Sequence, residues 1–323
     1  MGTDSLIKFL NVVGSVYDAY SAVLFLPAVA GEGFCIAGKF SLGDGIDDAT
    51  VIMPGQGLVG WILRNKQPLL INNFDQKRSH LGYYDPRDES QIKAFMGCPV
   101  QGGGALCVDS RRQYSFSDKD QKILDLLARL ACDIQSSGFL LGQAMEESRF
   151  YRTLQHMVDL RTRSPRWSAY LAAFLELLAQ ATGFAHCFLA ERDENGANYF
   201  LEGVPAEFFP PGTPHPGMVP IKSGLVGYVF NSAQAVFSGD RGCCPAGKSL
   251  FGKDVPAPDL GSFVLLPVVF GRKTRGVLVL CSPDLVAVTP AMRIFLAQAT
   301  ANLSLFLENL YLQARLASHA SGS

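Results

Sequence analysis

The chain lacks the features that mark several large classes of protein. It has no C-x-x-C pair, and its five histidines are scattered without the spacing of metal ligands, which argues against a structural zinc site. Its 28 basic and 29 acidic residues give a formal net charge of −1, so the basic excess of a nucleic-acid binder is missing. No uninterrupted apolar run approaches the roughly 18 residues of a membrane span. The sequence therefore predicts no structural metal, no nucleic-acid partner and no membrane span.

The first residues, "MGTDSLIKFLNVVGSVYDAY", lack the basic region and apolar block of a signal peptide. Their apolar spacing is that of an amphipathic helix instead. We therefore expect a cytoplasmic chain, in which the eight cysteines, mostly embedded in apolar strand or helix patterns, are reduced. The sequence identifies no catalytic residue and no cofactor.

An internal repeat organises the 323 residues, which are enough for two domains of about 150 residues each. "GLVGWILRNKQPLLIN" begins at Gly57, and "GLVGYVFNSAQAVFS" begins at Gly224. Downstream, "KAFMGCPVQGGGALCVDS" has a partner in "GSFVLLPVVFGRKTRGVLVLCS". Each of the latter is a strand ending in Pro-Val, a turn with glycine, and a second short apolar strand, which is typical of a hairpin. The sequence thus predicts the same hairpin twice.

A helix start follows each hairpin. Ser117 is the predicted cap of the first helix, and Thr289, followed by Pro290, is that of the second. Runs of strands flanked by helices favour an α+β fold, with an antiparallel sheet packed by helices in each copy. We predict a first domain over residues 1–135, a connecting helix over 136–165, a second domain over 166–300 and a C-terminal helical extension over 301–323.

The predicted helices after each domain are long and apolar. From Asp118 to about Arg163 nothing breaks the helix outright, although Ser136, Ser137 and Gly138 form a soft point where it can bend. The C-terminal helix carries almost no charge before Glu308. Helices this apolar need a partner. The partner is either the helix's own domain, by packing on the sheet, or a second chain. For the second half of the C-terminal helix we expect a parallel homodimer or a downstream helix.

These motifs resemble the GAF domain, a small-molecule-binding regulatory domain of signalling proteins. The resemblance is carried by "GQGLVGW", by "CPV" and "ALCVDS" around the hairpin turn, and by "FSDKD" at the helix start. It covers nearly all of the first half and is fainter but parallel in the second. It implies a six-stranded antiparallel sheet in each domain, with a ligand pocket between one sheet face and the loops before the hairpin.

The subtypes of that family are matched only in part. Cyclic-nucleotide-binding members carry an Asn-Lys…Phe…Asp-Glu pattern, where this chain has Asp109-Ser110, Phe116 and Asp120-Gln121. Bilin-binding members need a cysteine followed by histidine, and no cysteine here precedes a histidine. Members that reduce methionine sulfoxide use cysteines on strands and loops, and Cys98 and Cys107 lie on adjacent predicted strands. A thiol-based reductase therefore stays an alternative.

The loop "FDQKRSHLGYYDPRDES" lies at the lid position of the first domain. One interpretation is a solvated loop whose tyrosines pack on the sheet, and the other is a lid over a ligand. The candidate ligand-binding residues here are Arg78, His80, Tyr83, Tyr84, Phe95, Cys98 and Cys107. Asp85, Asp88 and Cys98 also offer the carboxylates and thiolate of a mononuclear iron site, but their spacing is not diagnostic and we predict no metal.

The lid of the second domain contains "GCCPAGKS", a match to the phosphate-binding pattern G-x-x-x-x-G-K-[ST]. That pattern needs a helix at its end, whereas Gly252, Pro256 and Pro258 follow and forbid one. The main interpretation is a structureless lid with incidental cysteines. In two weaker interpretations, Arg241 and Lys248 bind an anionic ligand, or Cys243 and Cys244 form an exposed redox pair.

The main hypothesis is a non-enzymatic sensory module with a small-molecule ligand of unknown identity. Ligand binding under one lid biases the packing of the connecting helix in a homodimer, and the change passes to an output domain or protein. The alternatives are an enzyme, either a nucleotide hydrolase through Lys248 or a reductase through Cys98 and Cys107, and a dimerisation scaffold with empty pockets.

Overall fold

The computed structural model of the chain describes residues 2–28, 32–77, 79–164, 166–210, 216–238, 249–252, 255, 257–271 and 273–320. The chain divides into two compact units, Met1–Gly142 and Gln143–Ser323. None of the helices in the described ranges is long and apolar enough to cross a membrane.

The first unit contains one antiparallel sheet and its helices. Its elements are α1 (Gly2–Val16), β1 (Ser21–Pro27), β2 (Phe34–Ser41), β3 (Val51–Ile52), α2 (Gly57–Asn65), β4 (Leu69–Ile71), α3 (Pro86–Glu89), β5 (Ala94–Pro99), β6 (Ala105–Ser110) and the beginning of α4 (Asp118–Arg163). The strand order is β3-β2-β1-β6-β5-β4. The predicted hairpin is β5–β6, with Cys98 opposite Leu106 and Gly97 opposite Cys107.

The second unit repeats this order. Besides the end of α4, it contains α5 (Trp167–Thr182), β7 (His186–Arg192), β8 (Asn198–Glu202), a 3₁₀ turn (Ala206–Phe208), β9 (Val219–Pro220), α6 (Gly224–Ser232), β10 (Val236–Phe237), β11 (Ser262–Phe270), β12 (Lys273–Ser282) and α7 (Pro290–Ala320). The strand order β9-β8-β7-β12-β11-β10 matches that of the first sheet strand for strand. The predicted α+β fold with two six-stranded antiparallel sheets is confirmed.

Each sheet has an apolar cluster on both faces. In the first unit, one face packs against α1 and α4 around Leu10, Val13 and Leu124, and the other packs against α2 and the lid around Phe25 and Phe95. The second unit repeats the two faces, with α5, α7 and the end of α4 on one and α6 with aromatic residues on the other. The lid-side face is therefore the corresponding surface in both domains.

The predicted helix caps are confirmed. Ser117 Oγ accepts a hydrogen bond from Asp120 N at 3.3 Å, and Asp120 Oδ2 accepts one from Ser117 N at 2.8 Å, which makes a reciprocal capping box. Thr289 Oγ1 accepts from Met292 N at 3.1 Å. Between its cap and Arg163, α4 is one uninterrupted helix of 46 residues that includes Ser136–Gly138.

Candidate functional site

The repeated Gly-Leu-Val-Gly motif attaches each lid to a helix. Gly57 and Gly224 begin α2 and α6 with φ of +64° and +66°, a left-handed conformation that favours glycine. A Cβ at Gly57 would lie 2.5 Å from the carbonyl oxygen of His80, and one at Gly224 would lie 2.5 Å from that of Leu250. The first glycine of each motif therefore lets the lid backbone lie directly against the helix start.

Hydrogen bonds complete this attachment. Leu58 N donates to the carbonyl oxygen of His80 at 2.9 Å in the first unit. In the second, Leu225 N and Val226 N donate to the carbonyl oxygens of Ser249 and Leu250, each at 3.1 Å. These N–H groups belong to the first turn of a helix, where no partner within the helix is available. Each lid thus supplies acceptors that its helix would otherwise lack.

The lid of the first domain folds down onto the sheet. Tyr83 is only 1% exposed and Tyr84 is also buried. Their backbone is held by an extended segment, because Asp47 N donates to Tyr83 O at 3.1 Å and Asp85 N donates to Gly45 O at 2.9 Å. The tyrosine side chains therefore fill the space where the resemblance placed a ligand.

A buried carboxylate lies beneath these tyrosines. Asp109, on β6, is fully buried, and its Oδ2 accepts hydrogen bonds from Ser21 Oγ at 2.5 Å, from Tyr83 Oη at 3.0 Å and from Tyr84 Oη at 3.1 Å. No Lys or Arg in the described ranges forms an ion pair with this carboxylate. Asp109 is thus a buried acidic group whose side-chain partners are neutral hydroxyls.

Burial and hydrogen bonding act in opposite directions on Asp109. Desolvation raises the pKa of its carboxyl, and the hydroxyls of Ser21, Tyr83 and Tyr84 lower it by stabilising the charged form, so that the net pKa is about 6 instead of 3.8. Burial and the carboxylate together raise the pKa of both tyrosines well above 10. The tyrosines therefore stay protonated and act as hydrogen-bond donors at all ordinary pH values, whereas the pKa of the Asp109 carboxyl is about 6.

Aromatic rings surround the carboxylate. The ring of Tyr83 lies 5.3 Å from that of Phe25 and 4.9 Å from that of Tyr84, measured between centroids. Phe95 is the residue opposite Asp109 on β5, is fully buried and belongs to the same cluster. The candidate site therefore combines one acidic group with four aromatic side chains.

The structure brings together four of the predicted site residues: Tyr83, Tyr84, Phe95 and Cys107 share the lid-side cluster. His80 is exposed and takes part through its backbone carbonyl. Cys98 belongs to the opposite face of the sheet, where its Sγ lies 3.6 Å from the carbonyl oxygen of Gln121 on α4. Arg78 lies outside the described residues.

The two strand cysteines do not form a thiol pair. Cys98 and Cys107 belong to the clusters on opposite sheet faces because they occupy neighbouring rather than opposed register positions. Burial raises the pKa of Cys98 to about 12 and that of Cys107 well above its ordinary value. Both thiols are therefore protonated, which is unfavourable for a nucleophile.

Two of the three side chains considered for an iron site have other surroundings. Asp88 pairs with Arg111 at 3.4 Å, and Cys98 lies on the far face of the sheet. Among the described residues, no group of three His, Cys, Asp or Glu side chains is arranged to hold a metal ion.

Sequence reasoning missed Asp109 as a site residue. It noted Asp109 only as a departure from the cyclic-nucleotide pattern, although an acidic residue inside a strand that is otherwise apolar was a usable signal. Ser21 carried no such signal, because its contact with Asp109 depends on the pairing of β1 with β6.

The second domain has different chemistry at the corresponding positions. Strand pairing places His186 opposite Cys281 on β7 and β12, as Ser21 is opposite Asp109 on β1 and β6. Cys281 is fully buried, and burial raises its pKa to about 12. The His186 ring packs edge-on against Phe208 at 5.3 Å, and its buried Nδ1 has no hydrogen-bond partner among the described residues. The carboxylate of the first domain is thus replaced by a neutral thiol.

The pattern "GCCPAGKS" is described only at Ser249. Arg241, Cys243, Cys244 and Lys248 lie outside the described residues, so their predicted roles stay predictions. No helix forms in the described segment 249–252 that follows the pattern, and Ser249 Oγ accepts a hydrogen bond from Gly252 N at 2.9 Å. The helix that a phosphate-binding loop requires after its Lys-Ser pair is absent from this segment.

Comparison with known proteins agrees with this fold. The family model described as GAF domain matches residues 14–134 and 168–308, which together make up most of the chain. No curated protein matches the chain.

Several solved structures are similar to about half of the chain. The GAF domain of a phosphoenolpyruvate-protein phosphotransferase from Acinetobacter is 21% identical over 52% of this chain and 95% of its own, with a TM-score of 0.39. A free methionine-R-sulfoxide reductase from Neisseria meningitidis, in complex with its substrate, is 18% identical over 49% and 88%, with a TM-score of 0.40. The second GAF domain of DevS from Mycobacterium smegmatis is 12% identical over 44% and 99%, with a TM-score of 0.34.

Proposed function

This chain belongs to the GAF domain family, with one domain in each half, and on that premise we propose that it is a non-enzymatic sensory module. A small molecule binds at the lid-side face of the first domain, in the place that Tyr83 and Tyr84 occupy when the lid is closed. Its binding displaces the lid and changes the packing of α4.

The observation that carries this proposal is the attachment of the lid to Asp109. Two lid side chains reach a single carboxylate through their hydroxyl groups. A hydrogen bond to a charged group contributes about 1.5–3 kcal/mol, so the closed lid is held by a few polar contacts that a ligand can replace. The closed state thus resembles the bound state of the site, with the protein's own side chains in place of the ligand.

A short connection joins this site to α4. Only seven residues separate Asp109 from Ser117, the cap of α4. In between, the backbone of Phe116 is held at both ends by Asn72, whose Nδ2 donates to Phe116 O at 2.7 Å and whose Oδ1 accepts from Phe116 N at 3.1 Å. A displacement of β6 is therefore transmitted to the start of α4 through a firmly bonded segment.

The middle of α4 supports dimerisation. Four large apolar side chains on this segment are more than half exposed: Phe139, Leu140, Leu141 and Met145. Apolar residues at such density on a helix surface mark an interaction site. We assign a second copy of the chain to this surface, and we assign an output partner to the exposed apolar residues near the end of α7, which are Tyr311, Leu312 and Leu316.

The six described cysteines are all free thiols, which accords with a reducing cytoplasm.

Hydrogen exchange of the full chain tests the sensor. Small molecules that raise its melting temperature are selected first, and exchange is then measured with each of them. A ligand of the first domain should increase amide exchange at residues 83–85, because this part of the lid no longer packs on the sheet. It should also change amide exchange in α4. Phe95→Leu should weaken its binding, whereas Phe263→Leu, the same register position in the second domain, should not. Ligands that bind equally to both variants, or that leave α4 unchanged, would contradict the proposal. If no ligand binds, the scaffold hypothesis replaces it.

A further inference from the structure

We propose that the ligand of the first domain carries a primary ammonium group, which pairs with Asp109. This inference rests on the proposed function, because it names the chemical class of the molecule that displaces the lid.

The charge of the site favours a cation. Asp109 is fully buried, its side-chain partners are the neutral hydroxyls of Ser21, Tyr83 and Tyr84, and no cationic side chain in the described ranges pairs with it. A buried charge without a counter-ion is costly, and hydroxyl dipoles compensate it only in part. A ligand that brings a positive charge to this position supplies a counter-ion that no described side chain provides.

The hydrogen-bond geometry favours a primary ammonium group among cations. When the lid leaves, the carboxylate loses the two donors from Tyr83 and Tyr84 and keeps Ser21, which is fixed opposite it on β1. A primary ammonium has three N–H donors and can replace both hydroxyls, whereas a quaternary ammonium has none.

The aromatic side chains on the strands of the sheet suit the rest of such a molecule. Phe25 and Phe95 belong to strands β1 and β5 and are fully buried, so they do not leave with the lid. Aromatic faces attract cations and pack against apolar groups. The site therefore fits an amine with an apolar or aromatic body.

The second domain lacks this chemistry. Cys281 takes the register position of Asp109, and His186 takes that of Ser21. The thiol of Cys281 is neutral and buried. An ammonium ligand should consequently discriminate between the two domains.

The test compares two probes of the same shape, 2-phenylethylammonium and 2-phenylethanol, by calorimetric titration of the full chain. The amine should bind about tenfold more tightly or better, because a hydrogen bond to a charged group exceeds a neutral one by roughly that factor. Asp109→Asn should abolish this preference, and Cys281→Ala should retain it. The double variant Tyr83→Phe and Tyr84→Phe keeps the carboxylate but removes the competing lid donors, so it should bind the amine more tightly than the wild type.

Equal affinity for the two probes, no binding of the amine at millimolar concentration, or an unchanged preference in Asp109→Asn would each overturn the inference. These outcomes are distinct from failure of the proposed function. A neutral or anionic ligand that opens the lid and alters α4 would support the sensory function and refute the ammonium ligand. Amine binding at Asp109 without any change in α4 would support the ammonium ligand and refute the sensory function.

Discussion

Asp109 and Cys281 occupy the same register position in the two sheets, each opposite the first residue of the adjoining central strand and next to a phenylalanine on the other side. The two domains therefore have the same backbone register at this position but different side chains. One domain places a buried acidic group under its lid, and the other places a thiol there. The two domains, although similar in fold, offer different chemistry to a ligand.

Removal of one lid hydroxyl should loosen the lid. Tyr83→Phe deletes a donor to Asp109 and leaves the ring in its aromatic cluster. We expect faster amide exchange at residues 83–85, by about tenfold or more, since a hydrogen bond to a charged group is lost. Tyr114→Phe is the matched control, because that ring is 75% exposed. Unchanged exchange in Tyr83→Phe would show that the hydroxyl of Tyr83 does not hold the lid.

Stability should depend on pH through Asp109. Its pKa is raised from 3.8 to about 6 in the folded protein, so its contribution to stability is fully present below pH 3.8 and is lost as the pH rises through 6. Relative to Asp109→Asn, the wild type should lose about 3 kcal/mol of unfolding free energy across this interval, at roughly 1.4 kcal/mol per pKa unit. Urea titrations of both proteins at several pH values measure the difference. A difference independent of pH, or one of opposite sign, would contradict the assignment.

Substitution by alanine should have opposite effects on stability at Gly57, where φ is positive, and at Gly142, inside a helix. Gly57→Ala places a Cβ 2.5 Å from His80 O in a left-handed conformation and should cost at least about 1 kcal/mol. Gly142→Ala, inside α4, meets nothing within 4 Å and should stabilise the protein by roughly 0.5–1 kcal/mol. Denaturant midpoints compare the two. A neutral Gly57→Ala would mean that the lid does not rest on the helix start.

The exposed segment of α4 is the interface of the proposed dimer. Leu140→Lys combined with Leu141→Lys should therefore shift the chain from dimer to monomer, because charges would replace apolar side chains on that segment. Gln143→Lys, an exposed polar position on the same helix, is the control. Sedimentation equilibrium gives the mass. A wild-type monomer, or a double variant that stays dimeric, would remove this surface from the interface.

The strand thiols should be unreactive in the folded protein. Cys98 and Cys107 are buried with raised pKa values, so iodoacetamide should modify them only after unfolding, whereas the half-buried Cys35 and Cys132 should react earlier. Peptide mapping after timed alkylation separates the sites. Rapid native alkylation of both Cys98 and Cys107 would restore the reductase hypothesis.

The sequence predicted the fold well because the repeat was visible in residues with local effects. Gly57 and Gly224 mark helix starts, and Ser117 and Thr289 mark caps, so their roles depend on neighbours in the chain. The site was harder to predict, since Ser21, Tyr83 and Asp109 come from three distant segments. Strand pairing brings Ser21 to Asp109, and the folding of the lid onto the sheet brings Tyr83 to them. The separation of Cys98 from Cys107 also depends on register, which spacing along one strand does not give.

The hydrogen bonds from α2 and α6 to their lids have a further consequence. Each lid caps a helix that precedes it in the chain, so opening the lid leaves the donor of Leu58, or those of Leu225 and Val226, without an acceptor. Loss of such a cap costs about 1 kcal/mol, so a ligand that opens the lid would also have to offset the loss of this cap. Lid opening is therefore coupled to fraying of the helix start, and a molecule that binds too weakly to offset both leaves the domain closed. In the second domain, the amide donors of Leu225 and Val226 at the start of α6 already bond the carbonyl oxygens of Ser249 and Leu250, so these two donors are not available to an anion while the lid is closed.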